Sequence, residues 1–459
     1  MDYLRIATYP FAKFIDGLIS KPVRDALRIL KFGDNATLSE ITEFRNQAFN
    51  DLVDHAYKNV PYYQNIMDEY GIPPKSIQSL EDLERFPILT KDAIRLAGDG
   101  LRAINYSDNA CVRRRSGGTT GEPIASYVDY RAQALETYAC FRGFEWMGWR
   151  PGLRIVRLFG GSLGQPVKYS FRHQAREFAL GRISLPAFEL DKNNVGQYIE
   201  KINQTGECIL VGYASAIYNL ALYAKEQNLV PKNINCVFST SEVMPDHWKN
   251  IISQVFSCPV KNYYGCGEIN SLGFQVAESG LYWIPDEHVH IESIDNENSF
   301  SRIRQENNLI VTSLFNYAQP LIRYQNDDLG EILKPGVEHP TRHCIVNFAG
   351  RSADMFIRPD GSRISSILGT FIIQKTQIKV KKYQLIQYAY DNVQFRYEPM
   401  GEINEQDLLP VVKILRDHVN PSLDVEFIET DEFILSESGK FRIMVVDPEF
   451  DSLSEFNIR

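Results

Sequence analysis

The residues from Ser116 to Pro123 have the types and spacing of a loop that binds phosphate. Positions 116–121 contain three glycines and three hydroxyl side chains. Glycine lets backbone amides approach an anion closely, and short hydroxyl side chains add hydrogen-bond donors. No Gly-Lys-Ser/Thr follows, so the segment is not a Walker A loop. An ordinary surface turn has the same composition, and residues 124–128 predict a strand that makes the loop a hairpin connection.

Three further groups of residues follow predicted strands downstream of this loop. They are Gly212-Tyr213, Ser241-Glu242 and Tyr264 to Glu268. The predicted strands lie at 153–159, 208–211, 236–239 and 260–263, and the predicted helices lie at 130–146, 217–227 and 246–256. This alternation predicts a mostly parallel α/β sheet. Ligands bind at the carboxyl ends of such strands, so the three groups predict a ligand site at one sheet edge.

The last third of the chain changes to strands and turns. The sequence predicts a hairpin tip at 291–308 and strands at 309–314 and 321–324. A strand, a helix and a strand are predicted at 383–390, 408–418 and 425–428. These last elements predict a compact C-terminal α+β unit of about 100 residues.

Length and composition indicate a globular protein that acts on small molecules. A chain of 459 residues has room for roughly two to four domains. Its net charge of -9 gives no electrostatic footprint for nucleic acid, so no nucleic-acid partner is expected. Seven scattered cysteines without a CxxC pair predict reduced thiols, and no apolar run is long enough for a membrane span. We therefore expect a cytoplasmic protein.

The N-terminal segment allows two interpretations. Residues 1–32 interleave apolar side chains with arginine and lysine, which fits peripheral contact with an anionic membrane at its inner face, or a helix packed on the protein body. Residues 37–70 have helical spacing that breaks at 59–61, and residues 78–97 predict a short helix pair around Pro87. Residues 1–100 therefore predict a mainly helical lead-in.

Five motifs, in this order, resemble those of the adenylate-forming superfamily, the acyl-CoA synthetases and their relatives. They are Ser116 to Pro123, Tyr264-Gly265-Cys266-Gly267-Glu268, Arg323 to Leu329, Gly350 to Asp354, and Ser438-Gly439-Lys440. The segments His55 to Tyr63 and Phe86 to Lys91 are similar to the phenylacetate-CoA ligase branch, and within it to the CapK-like capsule-polysaccharide proteins.

The resemblance implies a large N-terminal adenylation domain over 1–352 and a small mobile α+β lid domain over 353–459. The mixed, mostly parallel sheets of the first domain are flanked by helices in this α/β fold. The implied reaction is attack of a carboxylate on the α-phosphate of ATP, which gives an acyl-adenylate and pyrophosphate. An amine or thiol acceptor, such as an amino sugar or coenzyme A, then displaces AMP. A protein that binds nucleotide without catalysis is the alternative from another class.

The resemblance also implies roles for individual residues. The nucleotide would contact Ser116, Gly117, Gly118, Thr119, Thr120, Gly121, Ser241, Glu242, Tyr264, Gly265, Asp328 and Arg351. Within this set Tyr264 would stack on adenine, Asp328 would accept hydrogen bonds from the ribose, and Arg351 would donate to ribose or phosphate. Glu268 suits Mg²⁺ as a hard ligand, and Lys440 would supply a cation to the reacting centre when the lid closes. Tyr138, Gly212 and Tyr213 are candidates for the pocket of the acid.

Three features depart from the family pattern. Glu122 replaces a lysine that many relatives have at the end of the loop, and Ala353 replaces the usual hinge aspartate. The strand before the loop carries Arg113, Arg114 and Arg115, which compensate Glu122, bind an anionic acceptor or form a solvated basic edge. No zinc is expected, because Cys266, His288 and His290 lack further cysteines at 277–280.

Overall fold

The part of the chain that the structure describes begins at residue 20. The computed structural model describes residues 20–115, 125–159, 181–242, 244, 246–294, 307–348, 356–360, 362–364, 367–434, 443–447 and 449–450. The phosphate-type loop with Glu122, the hinge residues Arg351 and Ala353, and Lys440 lie outside these residues. The structure therefore tests the framework that would position these motifs.

Helices dominate the residues before the glycine loop. They are α1 (Lys21–Asn35), α2 (Leu38–Asn59), α3 (Pro61–Glu69) and α4 (Lys91–Ala97), with a 3₁₀ turn at Leu80–Arg85. A capping box at α2, in which Thr37 and Glu40 exchange hydrogen bonds, satisfies backbone amides that have no partner within the helix. Val23, Ala26 and Leu30 of α1 are buried on helix α5 (Tyr130–Trp146). This face is therefore not available to a membrane, and residues 21–32 follow the packed-helix interpretation.

A nine-stranded mixed sheet forms the centre of the molecule. Its strands are β3 (Arg154–Phe159), β4 (Arg182–Pro186), β5 (Cys208–Tyr213), β6 (Ile234–Thr240), β7 (Val260–Tyr264), β8 (Gly273–Gln275), β9 (Tyr282–Trp283), β13 (Glu331–Leu333) and β14 (Cys344–Val346). They are arranged in the order β13-β14-β9-β8-β7-β6-β5-β3-β4, and the five from β7 to β4 run parallel. The predicted α/β fold class with mixed sheets flanked by helices is confirmed, and the strand pairs from β13 to β7 are antiparallel.

The two faces of the parallel strands pack against different helices. Helices α6 (Val195–Thr205), α7 (Ala214–Glu226) and α8 (Asp246–Phe256) form one apolar core with Val156, Leu158 and Leu210. Helix α5 covers the opposite face, where Ile155, Val211 and Phe238 join a second core. Each strand therefore sends alternate side chains into two separate cores.

Two smaller β-structures flank this sheet. β1 (Cys111–Arg115) pairs antiparallel with β2 (Ala125–Asp129), so the glycine loop connects a hairpin as expected. The other is a three-stranded antiparallel sheet of β10 (Val289–Ile294), β11 (Asn308–Ser313) and β12 (Tyr324–Leu329). The predicted strand at 321–324 was misplaced, because the strand begins at Tyr324 and runs through the polar residues that follow.

The C-terminal residues form a second α+β unit. A hairpin of β15 (Phe356–Ile357) and β16 (Arg363–Ile364) precedes helices α9 (Ile367–Thr376) and α10 (Glu405–His418) and a four-stranded sheet. That sheet contains β17 (Val380–Ala389), β18 (Asn392–Pro399), β19 (Asp424–Glu429) and β20 (Met444–Val446). Tyr223 of α7 donates to Asp360 at 2.9 Å, and His418 contacts the carbonyl of Phe188 at 3.1 Å. The unit therefore rests on the α7 side of the central sheet.

The seven cysteines are free thiols. No helix in the described part of the chain is long and apolar enough to cross a membrane.

Candidate functional site

Three polar side chains from β7 and β12 meet at the carboxyl end of β7. The Tyr264 hydroxyl donates to Asp328 Oδ2 at 2.9 Å and accepts from Asn326 Nδ2 at 2.6 Å. The Asn326 side-chain oxygen accepts from the backbone amide of Asp328 at 3.1 Å. Burial and the neighbouring Asp328 raise the pKa of Tyr264 well above its usual value, so the phenol stays protonated and donates. The network therefore fixes the orientation of the Asp328 carboxylate.

The ring of Tyr264 already has an aromatic neighbour. Its centroid lies 4.5 Å from that of Phe348, and the residue is only 4% exposed. Stacking of this ring on adenine therefore does not fit the arrangement in the structure. The contact that Tyr264 makes through its hydroxyl indicates instead that it positions Asp328.

Glu268 lies in a tight turn directly after β7. The amide of Cys266 donates to the carbonyl of Ile269, and the amide of Leu272 donates to the carbonyl of Tyr264, each at 2.9 Å. A side chain at Gly265 would bring a Cβ within 3.2 Å of the Ser271 amide, so glycine allows this close turn. Glu268 is 4% exposed. The turn therefore holds a carboxylate at the protein interior beside the end of β7.

The hairpin that carries the glycine loop is fixed to helix α5. Arg114 of β1 forms an ion pair with Glu136 of α5 at 2.5 Å, and Glu136 is 3% exposed. The Ser271 hydroxyl donates to the carbonyl of the same Glu136 at 2.8 Å. The charge of Arg114 is therefore paired within the protein, whereas Arg113 is exposed to solvent. The Glu268 turn and the hairpin thus share one support on α5.

A segment before β12 fixes the second strand of the hairpin. The Asn316 side chain donates to the carbonyl of Tyr127 at 2.9 Å, and Gln319 accepts from the Tyr127 amide at 2.7 Å. Asp129 accepts from the Tyr317 amide at 2.8 Å. These contacts place the loop-bearing hairpin at a fixed position relative to β12 and Asp328.

Arg323 holds the start of β12. Its guanidinium contacts both carboxylate oxygens of Glu292, at 3.2 and 3.1 Å, and donates to the carbonyl of Phe86 at 2.8 Å. Its φ of +54° lies in the left-handed region, a conformation that these contacts stabilise. Leu89 continues the attachment, because its amide donates to Arg323 and its carbonyl accepts from Gln325. The segment Phe86 to Lys91 therefore supports the strand that carries Asp328.

Glu242 has a different position from the one expected. Its carboxylate accepts from the Ser215 amide at 2.7 Å and from the Ser215 hydroxyl at 3.1 Å, at the first turn of α7. A carboxylate is favoured at a helix N-terminus, where backbone amides lack partners. Glu242 therefore contacts this helix terminus, and its contact with the nucleotide stays a prediction. Its neighbour Ser241 has a φ of +69° at the end of β6.

The three residues expected in the acid pocket differ in accessibility. Tyr138 is 3% exposed and belongs to the core beside Phe141. A Cβ at Gly212 would lie 2.4 Å from the carbonyl oxygen of Leu158, so this glycine allows β5 to approach β3. Tyr213 is partly exposed, and its ring lies 5.0 Å from that of Phe159. Of the three, only Tyr213 presents a side chain to a solvent-accessible space.

Proteins that are similar in sequence to this chain are consistent with the fold and the motifs described above. No family model matches it. CapK from Staphylococcus aureus is 23% identical over 371 residues, which cover 77% of this chain and 78% of CapK. A phenylacetate-coenzyme A ligase from Pseudomonas putida is 26% identical over 340 residues, which cover 71% and 73% of the two chains. Both relatives belong to the branch that the motifs predict. The chain is therefore similar in sequence to adenylate-forming ligases over most of its length.

A solved structure supports the fold of this protein independently. It is 2-hydroxyisobutyryl-CoA ligase in complex with 2-HIB-AMP and CoA in its thioesterification state. Its TM-score is 0.58 at 19% identity, with 92% of each chain covered. The predicted fold is therefore confirmed, whereas the roles of individual residues stay predictions.

The protein also contains an ion cluster that the sequence did not reveal and that is buried except for the exposed Asp34. It consists of Asp34, Arg142, Glu287 and Arg342. Arg342 pairs with Glu287 and Asp34 at 3.1 Å each, and Arg142 pairs closely with Glu287. A sequence signal of a buried charged group does exist at Arg45, which shares a buried helical face with Ile41, Ala48 and Leu52. A charged residue within such an apolar stripe indicates a buried partner.

The three residues that were considered as zinc ligands each contact another group of the protein. His288 Nε2 lies 3.0 Å from the carbonyl of Asn270, and His290 Nδ1 lies 2.7 Å from Arg45. The Cys266 thiol lies 3.4 Å from the carbonyl of Ile269. Within the described ranges, no cluster of three or more His, Cys, Asp or Glu side chains is arranged to hold a metal ion.

Proposed function

We propose that this protein uses ATP to adenylate a carboxylic acid, releases pyrophosphate, and transfers the acyl group to an acceptor. The observation that carries the proposal is that Tyr264 holds Asp328 at the end of β7, the strand whose following turn contains the buried Glu268. Two positioned carboxylates serve two parts of a nucleotide, the ribose and the metal-bound phosphates.

The first carboxylate is suited to a sugar. The Asp328 backbone amide donates to the Asn326 side-chain oxygen, and one Asp328 carboxylate oxygen accepts from the Tyr264 hydroxyl. A fixed carboxylate can accept hydrogen bonds from ribose hydroxyls without reorganising. We therefore propose that Asp328 binds the ribose and that Tyr264 acts as its positioning residue.

The second carboxylate fits a Mg²⁺ ion that accompanies ATP. Mg²⁺ prefers oxygen ligands and is commonly held by one or two carboxylates together with substrate phosphates, which agrees with a single buried Glu268. When bound, the ion would neutralise charge on the phosphates. Glu268 would hold the ion, and the shared support on Glu136 would keep it near the glycine-loop hairpin.

The remaining roles rest on the sequence motifs. We propose that amides and hydroxyls of residues 116–121 bind the phosphates, that Arg351 contacts ribose or phosphate, and that Lys440 contacts the reacting centre when the C-terminal unit closes as a lid. The domain boundary at 352/353 belongs to the same proposal. Glu122 adds a negative charge beside the phosphates, so its exchange for lysine should strengthen ATP binding if the charge opposes it.

The acceptor has two candidates. A coenzyme A thiol is favoured by the phenylacetate-coenzyme A ligase relatives and by the CoA in the related solved structure. An amine of a surface-polysaccharide precursor is favoured by the similarity to CapK and the capsule-polysaccharide proteins it resembles. Loss of free thiol in the presence of ATP, an active acid and coenzyme A would support the first. Adenylate formation without thiol loss, together with amide formation on an amino sugar, would support the second.

The main test is carboxylate-dependent exchange of pyrophosphate into ATP across a broad panel of acids. We expect Glu268→Ala to reduce exchange by about 1000-fold or more, because the phosphates lose their metal anchor. Glu278→Ala is the matched control, since Glu278 is an exposed carboxylate ten residues further along the chain.

Retained exchange in Glu268→Ala would remove Glu268 from this role. ATP binding by calorimetry without exchange for any acid would instead support the non-catalytic alternative.

A further inference from the structure

The turn that carries Glu268 contains a residue in an unfavourable backbone conformation. Ser271, which follows Glu268 in the same turn, has a φ of +63°. This value lies in the left-handed region, which residues other than glycine adopt uncommonly. Such a conformation costs free energy and persists only where the surrounding contacts determine it. The contacts that hold Ser271 therefore also set the path of the chain at Glu268.

Two segments distant in sequence hold the backbone and the hydroxyl of this part of the turn. The Ser271 hydroxyl donates to the carbonyl of Glu136 on α5 at 2.8 Å. The Nε2 atom of His288 lies 3.0 Å from the carbonyl of Asn270. Burial lowers the pKa of His288, so the ring is neutral near pH 7, and its Nε2 carries the proton because a carbonyl only accepts. Residues 270 and 271 are therefore anchored from two sides.

Arg114 of β1 supplies a third attachment. Its Nη2 atom pairs with the Glu136 carboxylate at 2.5 Å. The Asn270 amide has partners for both of its atoms in one orientation, in which its oxygen accepts from Arg114 Nη1 at 3.3 Å and its nitrogen donates to the carbonyl of Cys266 at 3.2 Å. One guanidinium thus contacts α5 and the Glu268 turn, and it belongs to the strand that leads into the glycine loop.

This arrangement favours one of the roles open to the basic run before the loop. The charge of Arg114 is matched by Glu136, which is only 3% exposed. Moving the guanidinium onto a phosphate would leave that carboxylate buried without its cation, which is strongly unfavourable. A planar guanidinium with several fixed donors is also well suited to hold two partners at once. Arg114 is therefore better placed to fix one element relative to another than to bind an anion.

We propose that Arg114 is a positioning residue that sets Glu268 for its ligand through Asn270. This inference rests on the proposed function and adds the residue that keeps the loop-bearing hairpin and Glu268 in one geometry. Because Asn270 closes the turn on the carbonyl of Cys266, a shift of Arg114 would move the backbone on both sides of Glu268. Misplacement by about 1 Å can cost about 100-fold, so a residue without contact to the nucleotide can control its binding.

The test measures ATP binding by calorimetry without any acid, once with Mg²⁺ and once with EDTA. We expect Arg114→Gln to weaken binding in Mg²⁺ by about 10- to 100-fold and to change binding in EDTA by less than about 2-fold, because the effect passes through Glu268. Arg114→Lys keeps the charge beside Glu136 but lacks the planar group that holds two partners. It should keep the stability of the wild-type protein in urea and still lose about 10-fold in Mg²⁺. A purely structural ion pair would be rescued by lysine.

A double-mutant cycle identifies the path of the effect. Glu268→Ala should itself weaken binding in Mg²⁺, and adding Arg114→Gln to it should change the affinity further by less than about 2-fold. Asn270→Ala removes the contact with the turn and leaves the ion pair of Arg114 in place. Because Asn270 is exposed, this variant should fold, and it should reproduce the loss seen in Arg114→Gln. It decides the question if Arg114→Gln fails to fold.

Arg113→Gln is the matched control. Arg113 precedes Arg114 in β1, and its side chain is exposed to solvent. We expect this variant to bind ATP as the wild-type protein does, with Mg²⁺ and with EDTA.

The outcomes separate the inference from the proposed function. Losses from Arg114→Gln and Glu268→Ala that add in the double variant, an equal loss in EDTA, or unchanged binding in Asn270→Ala would overturn the inference and leave the proposed function intact. Binding in Mg²⁺ that Glu268→Ala leaves unchanged would overturn the proposed role of Glu268 and the inference with it.

Discussion

Two buried polar clusters of this protein differ in the partners of their carboxylates. At the carboxyl end of β7, the Tyr264 hydroxyl donates to Asp328, and the Asn326 side chain donates to that hydroxyl. Under helices α1 and α5, Arg142 and Arg342 instead neutralise Glu287 within the protein. Burial alone therefore does not identify a functional residue. The kind of partner is more informative, because arginine neutralises a carboxylate within the protein, whereas a hydroxyl donor such as that of Tyr264 orients a carboxylate without neutralising it.

The largest expected effect comes from breaking the ion cluster. Glu287→Ala leaves Arg142 and Arg342 buried beside each other, so the free energy of unfolding should fall by about 3–5 kcal/mol. Urea denaturation measures this loss. Asp54→Ala removes the exposed ion pair with Lys58 and should cost less than about 1 kcal/mol. Equal losses in the two variants would contradict the structural role of the cluster.

The next effect concerns the charge of Asp328. Asp328→Asn keeps an oxygen that can accept from Tyr264 but removes the negative charge, so ATP binding should weaken by about 1.5–3 kcal/mol. The KM for ATP in pyrophosphate exchange measures it, and the unfolding free energy should change by less than about 1 kcal/mol. Asp424→Asn, at an exposed carboxylate of β19, should change neither quantity. An unchanged KM in Asp328→Asn would argue against ribose binding.

A pH dependence of stability should follow from the buried His290 beside Arg45, which lies outside both clusters. Burial and Arg45 lower the pKa of His290 to about 3, so this ring is neutral in the folded protein near pH 5, whereas it is protonated in the unfolded chain. The unfolded state then binds the extra proton, and stability is lost as pH falls from about 6.5 toward 3, by up to about 1.4 kcal/mol per pH unit. Urea denaturation at pH 7, 6 and 5 should show a smaller slope for His290→Asn.

The smallest effect should follow loss of the Tyr264 hydroxyl. Tyr264→Phe keeps the ring contact with Phe348 and should lower the unfolding free energy by about 1 kcal/mol, with a few-fold rise in the KM for ATP. Tyr130→Phe removes an exposed hydroxyl that donates to the carbonyl of Asn109, so it is the matched control and should change the KM by nothing measurable. A KM that rises in both variants would show that the effect is not specific to the site.

Local signals made much of the fold predictable from sequence. Helices α5 and α8 begin and end at the residues that the spacing predicted, and Asp129 caps α5 by accepting from the amides of Arg131 and Ala132. The carboxyl ends of β5, β6 and β7 meet at one edge as expected for parallel strands. These features depend on residues close together in the chain, which is why the periodicity revealed them.

Features that depend on distant partners were not predictable. β12 contains Asn326 and Asp328, two residue types with low strand propensity. Both form hydrogen bonds with the hydroxyl of Tyr264 on β7. Glu242 follows a strand like a ligand-binding residue, yet its partner Ser215 lies at another helix. Arg114 belongs to a basic run, and only the fold brings Glu136 to it. In each example one contact between remote segments decides the role.

The attachment of Leu89 to β12 has a consequence for how the site forms. Leu89 bridges to Tyr324 in parallel, so the strand that carries Asp328 borders a segment synthesised roughly 235 residues earlier. Closing such a long loop costs entropy before the contact returns any stability. During synthesis on the ribosome, the N-terminal helices therefore lack this contact until β12 has been made. The proposed ability to bind nucleotide should then appear among the last events of folding.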